Sequence, residues 1–146
     1  MNNNAHLFLS YKHEDQSRIE ALVHALEAEE LTVWWNRRIP TGSSWREQIT
    51  LHLDTAAAVI VVWSETSVTG AGEFVHEEAS RARRFGTYLG IRIDPVEPPL
   101  GFGECQLIDF SEWQGGRDEP CFQYLLAGCR AMVNDHRLKP VASGYG

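Results

Sequence analysis

The stretch of sequence that decides the fold is Ala57-Ala58-Val59-Ile60-Val61-Val62-Trp63, the most apolar run in the chain. Val59 to Val62 are all β-branched, and such side chains favour a strand because their rotamers are restricted in a helix. The run shows no alternation of apolar and polar residues, which is typical of a strand covered on both faces in a parallel sheet. The polar segment Ser64-Glu65-Thr66-Ser67 ends it. We therefore predict the central strand of an α/β domain.

Upstream of this strand, the chain alternates between strand and helix patterns. Leu7 to Tyr11 and Leu31 to Trp35 are short apolar runs that predict two strands. Between them, apolar residues recur with helical spacing from Asp15, a candidate N-terminal cap, to about Glu30. Ser44 and Glu47 have the spacing of a capping box, so a second helix is expected to begin there.

The same alternation continues downstream. Strong helix formers run from Glu73 to Phe85, and Gly86 supplies a C-terminal stop. Further segments predict two strands and a last helix, at Thr87 to Asp94, Gln106 to Phe110 and Asp118 to Val133. The order predicts a flavodoxin-like α/β fold of three layers, with a five-stranded parallel sheet in the order 2-1-3-4-5 and helices on both faces. We expect one domain over residues 1–133, followed at 134–146 by a tail or the start of a linker to a missing domain.

Charge and composition exclude several classes of protein. The chain has 146 residues with 20 acidic and 13 basic side chains, a formal net charge of −7, which argues against nucleic-acid binding. Residues 1–4 lack a basic region followed by a long apolar run, and no stretch approaches 18 uninterrupted apolar residues, so we expect neither secretion nor membrane association. Three cysteines make an odd number, which favours a reducing cytoplasmic setting, and six histidines lack metal-ligand spacing.

Ligands of open parallel sheets bind beyond the carboxyl ends of the strands. In this chain those ends are Ser10 to Glu14, Asn36 to Ser44 and Ser64 to Glu73, which should face one cleft. No GxGxxG motif follows the first strand and there is no Walker lysine loop, so a dinucleotide or triphosphate held on glycine amides is not expected.

Phe74 and Glu78 are four residues apart and share a helical face at the rim of this cleft. An aromatic ring with a carboxylate one turn further along suits a cationic or ribose-bearing ligand. The alternative is that Phe74 belongs to the core and that Glu77 and Glu78 are solvated, with Glu77 paired to Arg81.

Several segments together resemble one family. These segments are Leu7-Phe8-Leu9-Ser10-Tyr11 with His13 and Asp15, Val33-Trp34-Trp35-Asn36 followed by Ile39-Pro40, Gly42 and Trp45, Phe74-Val75-His76-Glu77-Glu78, Pro98-Pro99-Leu100-Gly101-Phe102, and Ile108-Asp109-Phe110-Ser111-Glu112-Trp113. In this order they make the chain similar, from about Leu7 to Val133, to bacterial Toll/interleukin-receptor (TIR) domains of the NAD-cleaving type.

The resemblance implies an NAD⁺ glycohydrolase that needs no cofactor, because NAD⁺ is the substrate. It implies that Glu78 is the catalytic carboxylate and that the products are nicotinamide and ADP-ribose or a cyclic isomer of it. Phe74 stands where the family usually has Trp, and Asn36 where it often has Asp. The expected substrate-binding residues are Phe74, Ser10, Tyr11, Lys12, Asn36 and Trp45; for Ser10 and Tyr11, packing at the strand end is an equal alternative.

The resemblance also implies self-association. Family members typically cleave NAD⁺ when assembled, with the BB loop of one copy completing the site of its neighbour. That loop corresponds here to Arg37, Arg38, Ile39, Pro40, Thr41, Gly42 and Ser43. A fused or separate sensor domain and a role in bacterial anti-phage defence or signalling are expected by analogy.

Two other functions stay open at this point. The first is a non-catalytic TIR adaptor that recruits other copies through the BB loop, since aromatic residues such as Trp34 and Trp45 are common in interfaces as well as in pockets. The second is an enzyme similar to nucleoside deoxyribosyltransferases, which also place a glutamate at an anomeric carbon.

Overall fold

The computed structural model describes residues 5–35, 45–69, 73–103 and 106–138. The expected BB loop, the expected capping residue Ser44 and the last eight residues lie outside these ranges. The strands are β1 (Leu7–Ser10), β2 (Val33–Trp34), β3 (Ala58–Trp63), β4 (Tyr88–Arg92) and β5 (Leu107–Asp109), and the helices are α1 (Gln16–Ala28), α2 (Trp45–Thr55), α3 (Glu73–Phe85) and α4 (Pro120–Leu138). A 3-10 helix, His13–Asp15, precedes α1.

The five strands form one parallel sheet in the order β2-β1-β3-β4-β5. This confirms the predicted flavodoxin-like topology. β3 is buried along its whole length, as its unbroken apolar sequence requires. Its neighbours β1 and β4 pair with it over several residues, whereas the edge strands β2 and β5 are short.

Two hydrophobic clusters cover the two faces of the sheet. Side chains that alternate along β1 and β3 divide between them, as the two-residue period of a strand requires. One cluster packs α1 and α4 against Leu7, Leu9 and Ile60. The other packs α2 and α3 against Phe8 and Val61. The sheet is therefore enclosed by two helices on each face.

The helix ends differ from expectation in two places. Asp15 occupies the N-terminal cap position of α1, but its side chain makes no capping hydrogen bond. Its carboxylate instead accepts a hydrogen bond from Ser64. The last helix continues to Leu138 rather than ending near Val133. Val133 is the last residue of the apolar stripe, and the polar residues Asn134, Asp135, His136 and Arg137 after it give no apolar period from which the continuation of the helix could be predicted.

Gly86 confirms the predicted stop of α3. Its φ angle is +73°, a left-handed conformation that residues with a Cβ rarely adopt. The chain leaves the helix there and enters β4 two residues later. The bounds of α3, Glu73 to Phe85, are those expected from the sequence.

Candidate active site

The centre of the sheet brings the ends of β1 and β3 side by side. These two strands are neighbours, with Ser10 opposite Val61 in the parallel register. The chain leaves β1 toward β2 on one side and leaves β3 toward β4 on the other. Adjacent parallel strands whose connections diverge leave a crevice at their carboxyl ends, which is where open α/β sheets bind ligands.

A short hydrogen bond joins two of the expected site residues, Ser10 and Glu78, at this position. The hydroxyl of Ser10 donates to Oε1 of Glu78 at 2.6 Å. Ser10 is the last residue of β1 and Glu78 lies in the second turn of α3, so the fold brings together residues distant in sequence. A hydrogen bond from a hydroxyl to a carboxylate at this length is strong and fixes the orientation of the acid.

Glu78 is buried because of its position on α3. It lies on the same helix face as Val75, Ala79 and Ala82, all of which pack against the sheet. Only 7% of Glu78 is exposed. A buried carboxylate among apolar side chains costs free energy unless it is hydrogen-bonded, and such groups are concentrated at functional sites.

Phe74, one turn before Glu78, is 59% exposed although it is a large apolar residue. The alternative that placed Phe74 in the core is therefore wrong, as is the view of Glu78 as a solvated residue. Glu77 is exposed, but its expected partner Arg81 makes a two-point ion pair with Asp54 of α2, at 2.6 and 2.8 Å. The pair with Asp54 forms because α2 and α3 pack side by side.

Tyr11 and Lys12 follow β1 at the same edge of the sheet. Tyr11 is buried, and its hydroxyl donates to the backbone carbonyl of Trp35 at 2.9 Å. Lys12 forms an ion pair with Glu14 at 3.0 Å, and that hydrogen bond lowers the pKa of the Glu14 carboxyl. Tyr11 thus links the end of β1 to Trp35, directly after β2. The roles of Tyr11 and Lys12 in substrate binding stay predictions.

The remaining expected site residues are not described. Asn36 and residues 37–43 lie outside the described ranges. Trp45 is the first residue of α2, but its side chain is not described. Their predicted roles in binding and self-association therefore stay predictions.

Sequence reasoning missed a second buried carboxylate beside the site. Asp15 is 4% exposed and accepts a hydrogen bond from the Ser64 hydroxyl at 2.6 Å. Thr66 and Arg18 also contact this carboxylate, at 3.2 and 3.4 Å. An acid five residues after Ser10 and the hydroxyl-rich segment after β3 were the available signals, but no local motif joins them.

Arg18 extends this network to the end of β4. It forms an ion pair with Asp94 at 2.6 Å and donates to the carbonyl of Ile93. The hydrogen bond from Arg18 is the largest cause that lowers the pKa of Asp94. Asp94 also accepts from the backbone N–H of Glu65. The segments that leave β1, β3 and β4 are thus held together by side chains.

The described residues hold no group of three or more His, Cys, Asp or Glu side chains that could hold a metal ion. Among the helices of the described part of the chain, none has the length and hydropathy required to cross a membrane.

Comparison with known proteins decides the family. The family model described as TIR domain matches residues 7–126. The chain belongs to the TIR domain family. A search of curated proteins gave no match.

Solved structures agree with this fold. The TIR domain of the Toll-related receptor TRR-2 from Hydra magnipapillata superposes with a TM-score of 0.66 at 18% identity, over 90% of this chain and 97% of that one. A 2-deoxyribosyltransferase from Bacillus psychrosaccharolyticus has a TM-score of 0.59 at 13% identity, over 95% of each chain. At these identities the likeness concerns the fold alone.

Proposed function

We propose that this TIR domain is an NAD⁺ glycohydrolase with Glu78 as its catalytic carboxylate. The observation that carries the proposal is the buried Glu78, oriented by the Ser10 hydroxyl at 2.6 Å at the carboxyl end of β1, next to β3. An oriented, buried carboxylate is well suited to stabilise positive charge that develops in a transition state.

Cleavage of the nicotinamide–ribose bond requires little more than one such carboxylate. In NAD⁺ the nicotinamide nitrogen is cationic, so the bond from it to the ribose anomeric carbon breaks with both electrons moving to the nitrogen. Neutral nicotinamide leaves without protonation. The ribose gains oxocarbenium character, which the carboxylate of Glu78 stabilises. Water then forms the new bond to the anomeric carbon and releases a proton, which gives ADP-ribose; attack by an adenine nitrogen of the same molecule gives a cyclic isomer.

Phe74 supports a binding role on the same helix. Its exposed ring stands one turn before Glu78, where a flat apolar surface offers stacking to nicotinamide. Ser10 acts on Glu78 in this proposal, while Tyr11, Lys12, Asn36 and Trp45 complete the substrate-binding set. The Lys12 ammonium is a candidate partner for the pyrophosphate.

We further propose that activity requires self-association through residues 37–43, with a fused or separate sensor supplying the signal in bacterial defence. Assembly would raise the local concentration of the domain and complete the site. Cleavage should therefore rise more steeply than linearly with protein concentration.

The experiment is an assay of NAD⁺ consumption by the purified chain, in dilute solution and clustered on a matrix, with products resolved by chromatography. Nicotinamide and ADP-ribose, or its cyclic isomer, support the proposal. No cleavage in the clustered state overturns it in favour of a TIR adaptor. A parallel incubation with deoxynucleosides tests the rival transferase: base exchange there without NAD⁺ cleavage would assign that chemistry instead.

A further inference from the structure

Two serine–carboxylate pairs cross between β1 and β3. Ser10 at the end of β1 donates to Glu78, which the chain reaches through the connection after β3. Ser64, directly after β3, donates to Asp15, in the 3-10 helix after β1. Each bond is 2.6 Å long, and all four side chains are buried. The serine at the carboxyl end of each strand thus donates a hydrogen bond to an acid in the segment that follows the other strand.

The two serine–carboxylate pairs lie on opposite faces of the sheet. Glu78 lies on the face covered by α2 and α3, and Asp15 lies at the start of α1, which covers the other face. Asp15 is already surrounded by Ser64, Thr66 and Arg18. Its position therefore fits a residue that holds protein segments together better than one that contacts substrate.

A chain of hydrogen bonds leads from Asp15 to α3. The Ser64 backbone N–H donates to the Ser67 hydroxyl at 2.7 Å, and the Ser67 N–H donates to the Ser64 hydroxyl at 3.2 Å. The Ser67 hydroxyl in turn donates to the carbonyl of Val62. The turn that begins the connection to α3 is thus closed by side chains at both ends.

The last step of this chain reaches the helix that carries Glu78. Nε2 of His76 donates to the Ser67 carbonyl at 2.9 Å, and its ring contacts Trp63 of β3 edge-on. His76 lies two residues before Glu78. The turn that Asp15 contacts through Ser64 is therefore hydrogen-bonded to the first turn of α3.

We propose that Asp15 is a positioning residue, which holds the turn of residues 64–67 so that α3 presents Glu78 to Ser10. This inference rests on the proposed function only for its effect on NAD⁺ cleavage. Its effect on α3 is measured without any substrate. The crossed arrangement assigns to Asp15 and Ser64 a role in the placement of the candidate active site.

The test compares Asp15→Ala and Asp15→Asn with the parent. Hydrogen exchange is followed at the backbone amides of α3 from Glu77 to Ala82, and kcat and KM are measured for NAD⁺. The control is Glu29→Gln, which removes the ion pairs of Glu29 with Arg117, in the segment before α4, and with Arg130 of α4, at 2.7 and 2.9 Å. Ser64→Ala is a milder second variant if Asp15→Ala does not fold.

We expect Asp15→Ala to raise exchange in α3 about tenfold and to lower kcat about tenfold, with KM changed less than about twofold. Asp15→Asn, which keeps an acceptor for Ser64, should recover part of both effects, and Ser64→Ala should give smaller changes in the same direction. Glu29→Gln should change neither.

Exchange in α3 that is unchanged in both Asp15→Ala and Ser64→Ala would overturn the inference, whatever the result with NAD⁺. So would equal increases in Asp15→Ala and Glu29→Gln, or raised exchange with an unchanged kcat. Raised exchange in a chain whose parent does not cleave NAD⁺ would uphold the placement of α3 by Asp15 and reject the proposed function.

Discussion

The hydroxyl of Ser10 donates to Oε1 of Glu78 across 68 residues of sequence, at 2.6 Å and with both side chains buried. This contact exists because β1 and β3 are neighbours in the sheet and α3 packs back over both. The orientation of the Glu78 carboxylate therefore follows from the packing of α3 on the sheet. The proposed chemistry depends on that orientation.

Ser10→Ala should impair catalysis more than binding. Loss of a hydrogen bond to a carboxylate costs about 2 kcal/mol, which corresponds to a decrease of roughly 30-fold in kcat. KM should change little, because Ser10 acts on Glu78. Steady-state kinetics with NAD⁺ check this prediction. The control is Ser80→Ala, which changes an exposed serine on α3, the helix that carries Glu78. A raised KM with an unchanged kcat would instead assign Ser10 a direct contact with substrate.

Phe74→Ala should weaken substrate binding without destabilising the fold, because the ring is largely exposed. We expect KM to rise about fivefold, as for the loss of one stacking contact of about 1 kcal/mol. Phe74→Trp should bind NAD⁺ at least as tightly as the parent. Phe85→Ala, which truncates an exposed phenylalanine at the other end of α3, serves as the control. Equal KM values for Phe74→Ala and Phe85→Ala would contradict a stacking role.

The ion pair between Arg18 and Asp94 should make stability depend on acidity. The hydrogen bond from Arg18 holds the pKa of Asp94 below its ordinary value of 3.8. A carboxyl with a lowered pKa stabilises the fold fully above that ordinary value, and the contribution is lost as the pH falls through the folded-state pKa. Denaturant unfolding between about pH 5 and 2 should therefore show a smaller loss of free energy of unfolding in Asp94→Asn than in the parent.

Asp109 is the comparison for this experiment. The hydrogen bond from Arg92 is the largest cause that lowers its pKa to about 2, but half of the Asp109 side chain is exposed. Solvent screening should reduce its contribution to stability. We expect the free energy of unfolding to depend less steeply on pH in Asp94→Asn than in Asp109→Asn. The opposite order would contradict a larger contribution from the partly buried Arg18–Asp94 pair.

Cys129 should resist alkylation. Burial raises the pKa of its thiol to about 12, and the thiolate is the reactive form. Cys121 is half-buried, with a pKa raised mainly by burial. With iodoacetamide at about pH 8, peptide mass mapping should find Cys121 modified well before Cys129. Both should react in denaturant, and native labelling of Cys129 at the rate of Cys121 would contradict its burial.

Local patterns in the sequence predict much of this fold. The β-branched run of β3 and the Gly86 stop of α3 report the local conformation directly, so the bounds of α3 and the strand order agree with expectation. The continuation of α4 beyond Val133 was missed because the residues that follow, Asn134, Asp135, His136 and Arg137, are polar and carry no apolar period.

The candidate site is less predictable. Spacing places Phe74 and Glu78 on one helix face. The exposure of Phe74 and the burial of Glu78, however, depend on how α3 packs against the sheet. The bond between Asp15 and Ser64 spans 49 residues, and the pair of Arg81 with Asp54 joins two helices. Such contacts are decided by tertiary packing and have no local signature.

The most direct test of the central claim is the rate of NAD⁺ cleavage by the clustered chain, measured for the parent, Glu78→Gln and Glu77→Gln. Glu78→Gln keeps the shape of the side chain and removes its charge, and Glu77→Gln makes the same change at an exposed neighbour. We predict a decrease of at least about 100-fold for Glu78→Gln, with a rate close to that of the parent for Glu77→Gln. Undiminished cleavage by Glu78→Gln would contradict the account.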